Sequence, residues 1–233
     1  MYGIELRSQR GNQYISNKTY PLLYWGYVDV SYTKGDASVF GYVYQRLFNL
    51  PMDANVTIAV RTLSVNSNVV GTNGAYILPT KFGEGWHLAI SGENETFTAR
   101  VYVFVHAKDI IKPKYGIAVF DQSGQIIFHN RRPAIAYKEM FYTDLNKPFV
   151  QSSISVGYKP AAVVWSIKIQ TYNAGYYRYY PSAHNVGNGY GIGITRSYSR
   201  AAAYDFELSN IVYYPVIDAG YFEQFPNLGN YPQ

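Results

Sequence analysis

Residues 161–170 read AAVVWSIKIQ, and this stretch points most directly to the fold. From Val163 to Ile169 every second side chain is large and apolar, and these residues alternate with Val164, Ser166, Lys168 and Gln170. Successive side chains of a β-strand point to opposite faces of the sheet, so a period of two separates an apolar face from a polar one. The stretch therefore predicts a strand with one face buried and the other in water.

Similar segments recur along the chain, separated by residues rich in Gly and Pro. Their spacing is typical of β-sandwiches. Besides 161–170, the predicted strands are residues 39–44, 56–63, 74–78, 86–90, 97–105, 192–195 and 206–214. A helix is an alternative to a strand only at residues 197–208, which include three consecutive alanines, but a strand is favoured there as well. The sequence predicts an all-β fold of antiparallel sheets.

The beginning of the chain is repeated near its middle. Tyr2-Gly3-Ile4 returns as Tyr115-Gly116-Ile117, at an offset of 113 residues. Without any gap, the same offset aligns Gln9 with Gln122, Gly11 with Gly124, Asn17 with Asn130, Leu22 with Ile135 and Tyr24 with Tyr137. A gapless match of this length indicates an internal duplication.

Each copy reads as a β-hairpin whose turn places Gly11 or Gly124 where a positive φ is needed. Because the repeat restarts just after Pro113, we expect two tandem β-sandwich domains, at residues 1–112 and 113–233.

Composition excludes several classes of protein. The 233 residues include no cysteine, which removes thiol catalysis, disulfides and cysteine-based zinc sites. Charged residues make up 15% of the chain against about 25% in ordinary proteins, so Tyr, Asn, Ser and Thr must cover much of the surface. The net charge of +5 is modest, and basic residues at 108–114 and at Arg131-Arg132 read as solvated loop charges. We expect no nucleic-acid partner, no membrane insertion and no signal peptide.

The repeated Tyr-Gly-hydrophobic opening resembles a family of uncharacterised tail proteins of long-tailed bacteriophages. Residues 115–133 carry the resemblance best, with a strand, a turn at Gly124, a second strand and a basic turn before Pro133. The resemblance implies a virion structural protein of the tail tip or fibre, made in the host cytoplasm, with no catalytic residues. It also implies that the partners are other tail proteins and further copies of the chain.

The sequence offers no strong catalytic or metal-binding motif. Its four histidines, at 87, 106, 129 and 184, lack metal-ligand spacing, and we expect neither metal nor cofactor. The Gly-rich run 187–193 lacks the ending of a phosphate-binding loop and reads as a loop. Paired acids at Glu93 and Glu95, and at Asp205 and Glu207, keep a glycan-cleaving enzyme as a third hypothesis. We expect the chain not to be an enzyme.

The strongest binding candidates are aromatic. Residues 172–180 read as a loop between strands, and tyrosine is a favoured interface residue because it joins a rigid apolar ring to a polar tip. A second aromatic run, 220–233, is expected to dock on its own domain or on another chain. The candidate residues are Tyr172, Tyr176, Tyr177, Arg178, Tyr179, Tyr180, Tyr221, Phe222 and Phe225.

Two functions remain open for these residues. The first is a non-catalytic adaptor in a phage tail, which works through polar and aromatic protein interfaces. The alternative is a receptor-binding or carbohydrate-binding module of the tail, which the tyrosines and the weak positive charge also suit.

Overall fold

The computed structural model describes residues 6–7, 13–15, 21–33, 42–47, 50–66, 76–91, 96–106, 117–120, 124, 126–144, 154–164, 168–172, 175–186, 189–199, 211–225 and 227. The elements in chain order are β1 (Leu6–Arg7), β2 (Gln13–Ile15), β3 (Leu22–Tyr32), β4 (Val43–Leu47), β5 (Val56–Asn66), β6 (Tyr76–Phe82), β7 (Gly85–Ser91), β8 (Thr96–His106), β9 (Ala118–Phe120), β10 (Ile126–His129), β11 (Tyr137–Asp144), β12 (Ile154–Val156), β13 (Pro160–Val164), β14 (Lys168–Tyr172), β15 (Gly175–Val186), β16 (Gly189–Ser199), β17 (Ile211–Asp218) and the short helix α1 (Ala219–Phe222). The all-β prediction is confirmed.

Strand β8 shows why the sequence forms sheets. Phe97, Ala99 and Val101 are buried on one face, as the alternation predicts. Farther along, Tyr102 and Phe104 are buried on the other face as well. A strand that is covered on both sides lies in the middle of a layered structure, and β8 is indeed paired with a strand on each edge.

The largest sheet has six antiparallel strands in the order β11-β17-β13-β5-β8-β3. Its centre is the pairing of β13 with β5, where Ala162 lies opposite Val60 and Val163 lies opposite Ala59. Three of the strands precede residue 113 and three follow it. The two tandem domains are therefore not confirmed, because one continuous sheet crosses the expected boundary.

Two smaller sheets, β4-β7-β6 and β12-β16-β15-β14, lie against the same face of the large sheet. Val60 belongs to the hydrophobic core beneath the sheet β4-β7-β6, and this core also contains Leu88 of β7. Ala162 belongs to the hydrophobic core beneath the sheet β12-β16-β15-β14, and this core also contains Ile192 of β16. Since directly paired residues point to the same side of a sheet, the two cores share one face of the large sheet.

Corresponding strands follow one another in the same order in the two halves. The hairpins β1-β2 and β9-β10 come first, and the edge strands β3 and β11 follow them. The last strand of each half, β8 or β17, lies between that edge strand and the central strand β5 or β13. The second half differs by one added strand in its small sheet. This order is what an internal duplication would produce.

The opposite face of the large sheet curls around a third core. This core joins Tyr24 of one edge strand to Ala59 and Val163 at the centre of the sheet. The backbone of residues 133–135, which leads into β11, pairs with the start of β3 through the bonds Tyr24 N–H to Pro133 O (2.9 Å) and Ile135 N–H to Leu22 O (2.8 Å). The two edges of the sheet therefore meet, and this face is concave.

The single strand predicted at 161–170 is wrong. Residues 161–164 belong to β13 in the large sheet, whereas residues 168–170 belong to β14 in the four-stranded sheet. Alternation shows which side chains share a face, but it does not choose the partner strand. Most of the predicted loop 187–193 is also strand, because β16 begins at Gly189. Gly124 has a φ of +76°, which confirms the positive φ predicted for that turn.

Candidate functional site

The segment 218–227 docks on the concave face and forms the best-defined site of the chain. The Asp218 carboxylate caps α1 by accepting a hydrogen bond from Gly220 N–H at 3.0 Å. One turn later, the Phe222 ring is fully buried. Its centroid lies 5.4 Å from that of Tyr24 and 5.1 Å from that of Phe104, where the two rings meet edge to face. The docked segment thus completes the core of the concave face.

The Glu223 carboxylate lies among donors from two strands, β5 and β8, and from the loop before β13. Its Oε1 accepts hydrogen bonds from Tyr102 O–H at 2.7 Å and from Arg100 Nη1 at 3.1 Å. Its Oε2 accepts one from Lys159 Nζ at 3.1 Å. A third cation, Arg61, lies 3.7 Å from Oε1. Both carboxylate oxygens are therefore engaged by groups far away in the sequence.

Arg100 extends this cluster to the edge strand β3. Its guanidinium forms two hydrogen bonds with the Asp29 carboxylate, at 2.6 and 2.8 Å, and stacks over the Tyr27 ring at 4.1 Å from the centroid. The backbone N–H of Tyr27 donates to Asn227 Oδ1 at 2.9 Å. Glu223 and Asn227 thus connect the docked segment to β8 and to the edge strand β3.

The electrostatics of the cluster favour an anionic Glu223. Burial by itself would raise the pKa of Glu223, but the hydrogen bonds from Tyr102 and Lys159, with Arg100, outweigh it and hold the pKa below its usual range. Burial and the bond to Glu223 raise the pKa of Tyr102. At neutral pH the acid is charged and the phenol is neutral, so the cluster is suited to fastening the segment.

The described residues of the predicted aromatic loop 172–180 lie in two paired β-strands. Tyr172 ends β14 and is paired with Gly175, while Tyr176, Tyr177, Arg178, Tyr179 and Tyr180 lie in β15. The loop interpretation is therefore wrong for these residues, since β15 is paired on both sides, with β14 and with β16. β15 also lies against β5 and β13 of the large sheet.

The candidates near the end of the chain divide between core and surface. Phe222 is buried in the chain's own core, and Phe225 is half-buried. Tyr221 remains 43% exposed, with its ring 5.3 Å from that of Phe225. Residues 220–225 therefore dock on the chain's own core, which is the first of the two expected alternatives. Of the three aromatic candidates in this segment, Tyr221 is the one that a partner could reach most easily.

A separate group of exposed apolar side chains lies between residues 117 and 140. Ile117 is 67% exposed, and Phe120, Tyr137 and Met140 are also exposed. They belong to the hairpin β9-β10 with the residue before it, and to the edge strand β11. In the described part of the chain, β17 is the only strand paired with β11. These four exposed residues are together called the β11 surface, and a partner could cover them.

The described residues contain no group of three or more acidic or histidine side chains able to hold a metal ion. His87 and His106 lie on different strands, β7 and β8. The acidic pairs at 93 and 95 and at 205 and 207 lie outside the described residues. Within those same described ranges, no helix is long and apolar enough to cross a membrane.

No protein family, no curated protein and no solved structure matches this chain.

Sequence reasoning missed the cluster around Glu223. The signal was present in part: Arg100 falls on the same face of β8 as Tyr102 and Phe104, where the alternation places aromatic rings. A cation among buried aromatic rings requires a partner. The partners Asp29 and Glu223 are 71 and 123 residues away, so only the folded chain identifies them.

Proposed function

We propose that this chain is a non-catalytic structural or adaptor protein of a bacteriophage tail tip or fibre assembly, which acts through polar and aromatic protein interfaces. Two observations support the proposal. The repeated hairpin opening resembles that of phage tail proteins, and the second copy of the opening forms the hairpin β9-β10. The strongest support comes from the β11 surface, which includes residues of this hairpin.

The chemistry of the β11 surface suits a protein partner. Ile117 and Met140 are the two most exposed large apolar side chains among the described residues. Large apolar groups on one surface are a common mark of association, since burying them removes apolar area from water. An edge strand also presents backbone donors and acceptors to a further strand, so β11 could extend the sheet into a neighbouring subunit.

The interior of the molecule suits a rigid building block. The docked segment 218–227 joins the end of β17 to β8 through Glu223 and to the edge strand β3 through Asn227. A body that is closed in this way presents its surfaces in fixed positions, which lowers the entropic cost of assembly. Partners would be further copies of the chain and other tail proteins.

The test uses two exposed methionines as a matched pair. Met140→Lys places a charge on the β11 surface, whereas Met52→Lys places the same charge on an exposed turn before β5. We expect Met140→Lys to reduce incorporation into tail particles at least tenfold, and Met52→Lys to be incorporated normally. Both variants should have the far-ultraviolet circular dichroism of the parent chain. Equal incorporation of the two variants, or absence of the chain from purified tails, would contradict the proposal.

The alternative is a receptor-binding or carbohydrate-binding module of the tail, and the tyrosine-rich strand β15 favours it. Aromatic rings stack on sugars and on protein partners alike. A glycan array separates the two functions. Specific retention of a glycan by a monomeric chain, with no self-association in analytical ultracentrifugation, would favour the receptor-binding module over the adaptor.

A further inference from the structure

Arg132 is a buried cation with two unsatisfied donor atoms. The residue is only 5% exposed, and its Nε and Nη1 atoms have no hydrogen-bond partner among the residues that the structure describes. The expectation of a solvated loop charge is therefore wrong for Arg132 and right for its exposed neighbour Arg131. By contrast, Arg100, which is less buried, is paired with both Asp29 and Glu223. Buried guanidinium groups are normally paired, because the loss of hydration must be compensated.

The backbone around Arg132 is fixed on both sides. Its own N–H donates to His129 O at 3.1 Å, and the N–H of Arg131 donates to His129 Nδ1 at 3.2 Å. The next residue, Pro133, accepts the hydrogen bond from Tyr24 N–H that joins the two edges of the sheet. The guanidinium is thus attached to a well-anchored turn. Burial lowers the pKa of Arg132 to about 10, which leaves the group charged at neutral pH.

We propose that Arg132 is the anchor of an oxyanion-binding site that takes a carboxylate or a phosphate. A guanidinium presents several N–H donors in one plane, which match the oxygens of these groups and would supply the missing acceptors. The oxyanion comes either from a free phosphate or from an acidic side chain of a partner protein. The site does not depend on the proposed role in a phage tail.

The experiment measures thermal unfolding of the full chain in increasing sodium phosphate or sodium glutarate, with sodium chloride at matched ionic strength as the reference. Glutarate is the probe for a glutamate side chain. We expect a saturable rise in Tm for the parent chain. Arg132→Met should lose the rise, whereas Arg131→Met, which removes the neighbouring exposed cation, should keep it. General salting effects act on all three chains and cancel in the comparison.

The two probes distinguish the sources of the oxyanion. A rise with phosphate alone identifies a free phosphate, and a rise with glutarate, alone or together with phosphate, identifies an acidic side chain. If Arg132→Met does not fold, Arg132→Lys replaces it, and the probe concentration giving half of the Tm rise should increase about tenfold, because an ammonium group lacks the planar donor set. No rise with either probe, or an equal rise in the parent chain and the Arg132 variant, overturns the proposal.

Discussion

The backbone N–H of Ile135 donates a 2.8 Å hydrogen bond to the carbonyl oxygen of Leu22, and these two residues occupy equivalent positions in the repeated sequence. The bond joins the two edges of the large sheet. Equivalent residues of two copies meet where the copies are related by a two-fold axis. The central pairing of β5 with β13 is likewise a contact between corresponding strands. The two halves of the chain thus have the same order of strands and share one sheet. They contact each other at the centre of this sheet and again where its two edges meet.

Hydrogen exchange tests whether the edges of the sheet stay joined. We expect the amides of Tyr24 and Ile135 to exchange on the order of 100-fold more slowly than the amide of Ala134. Ala134 lies in the same segment, but its N–H has no backbone acceptor among the described residues. Rapid exchange at Tyr24 and Ile135 would mean that the edges of the sheet are open in solution.

Truncation of Phe222 tests the docking of the C-terminal segment. Phe222→Ala should lower the free energy of unfolding by about 3–5 kcal/mol, because it leaves a cavity between Tyr24 and Phe104. Tyr221→Ala removes a ring of similar size from the exposed side and should cost about 1 kcal/mol or less. Chemical denaturation measures both values. Similar costs for the two variants would argue against the docked position of the segment.

Glu223 should make stability depend on pH in the acid range. Its pKa is lower in the folded chain than in the unfolded chain, where it is about 4.3. The stabilisation is therefore fully present above the unfolded pKa and is lost as the pH falls through the folded pKa. Glu223→Gln should cost about 2 kcal/mol at pH 7, the usual size for hydrogen bonds to a charged group.

Urea denaturation of this variant and its parent between pH 7 and about pH 3 measures the effect, and the difference between them should shrink below about pH 4. Glu84→Gln is the control, since Glu84 is exposed in the turn between β6 and β7. A difference that stays constant down to the lowest pH would show that the charge of Glu223 does not contribute.

Alanine substitutions at two glycines distinguish the effect of backbone strain from that of side-chain crowding. A Cβ added at Gly124 or at Gly157 would meet no atom within 4 Å, but only Gly124 has a positive φ, +76°. Gly124→Ala should therefore cost about 1 kcal/mol, whereas Gly157→Ala should change the stability by less than about 0.5 kcal/mol. Thermal unfolding of the two variants checks this, and equal effects would contradict a strained turn at Gly124.

Local pattern was enough to predict the fold class and several of the strands. The alternation at 97–105 and at 56–63 places those residues correctly in β8 and β5. It failed at 161–170, because alternation continues across the point where the chain changes sheets. The pairing of β5 with β13 joins residues about a hundred positions apart, and no local signal selects it.

The candidate site was predicted only in part. An aromatic segment that avoids water was expected at 220–233, and Phe222 is indeed buried. The composition of the segment could not identify Arg100 and Lys159 as partners of Glu223, because ion pairs across a sheet depend on its register. For the same reason, the burial of Arg132 could not be distinguished from the exposure of Arg131.

The order of strands in the large sheet constrains how the chain can fold as it is synthesised. Each half is completed by its last strand, since β8 lies between β3 and β5, and β17 lies between β11 and β13. On the ribosome, β11 and β13 therefore emerge with edges that no neighbour covers until β17 has been made. Phe222 follows later still and joins the core of the concave face. Completion of the second half must then wait for β17 and Phe222, and the strand edges exposed until then are where chaperones would be needed most.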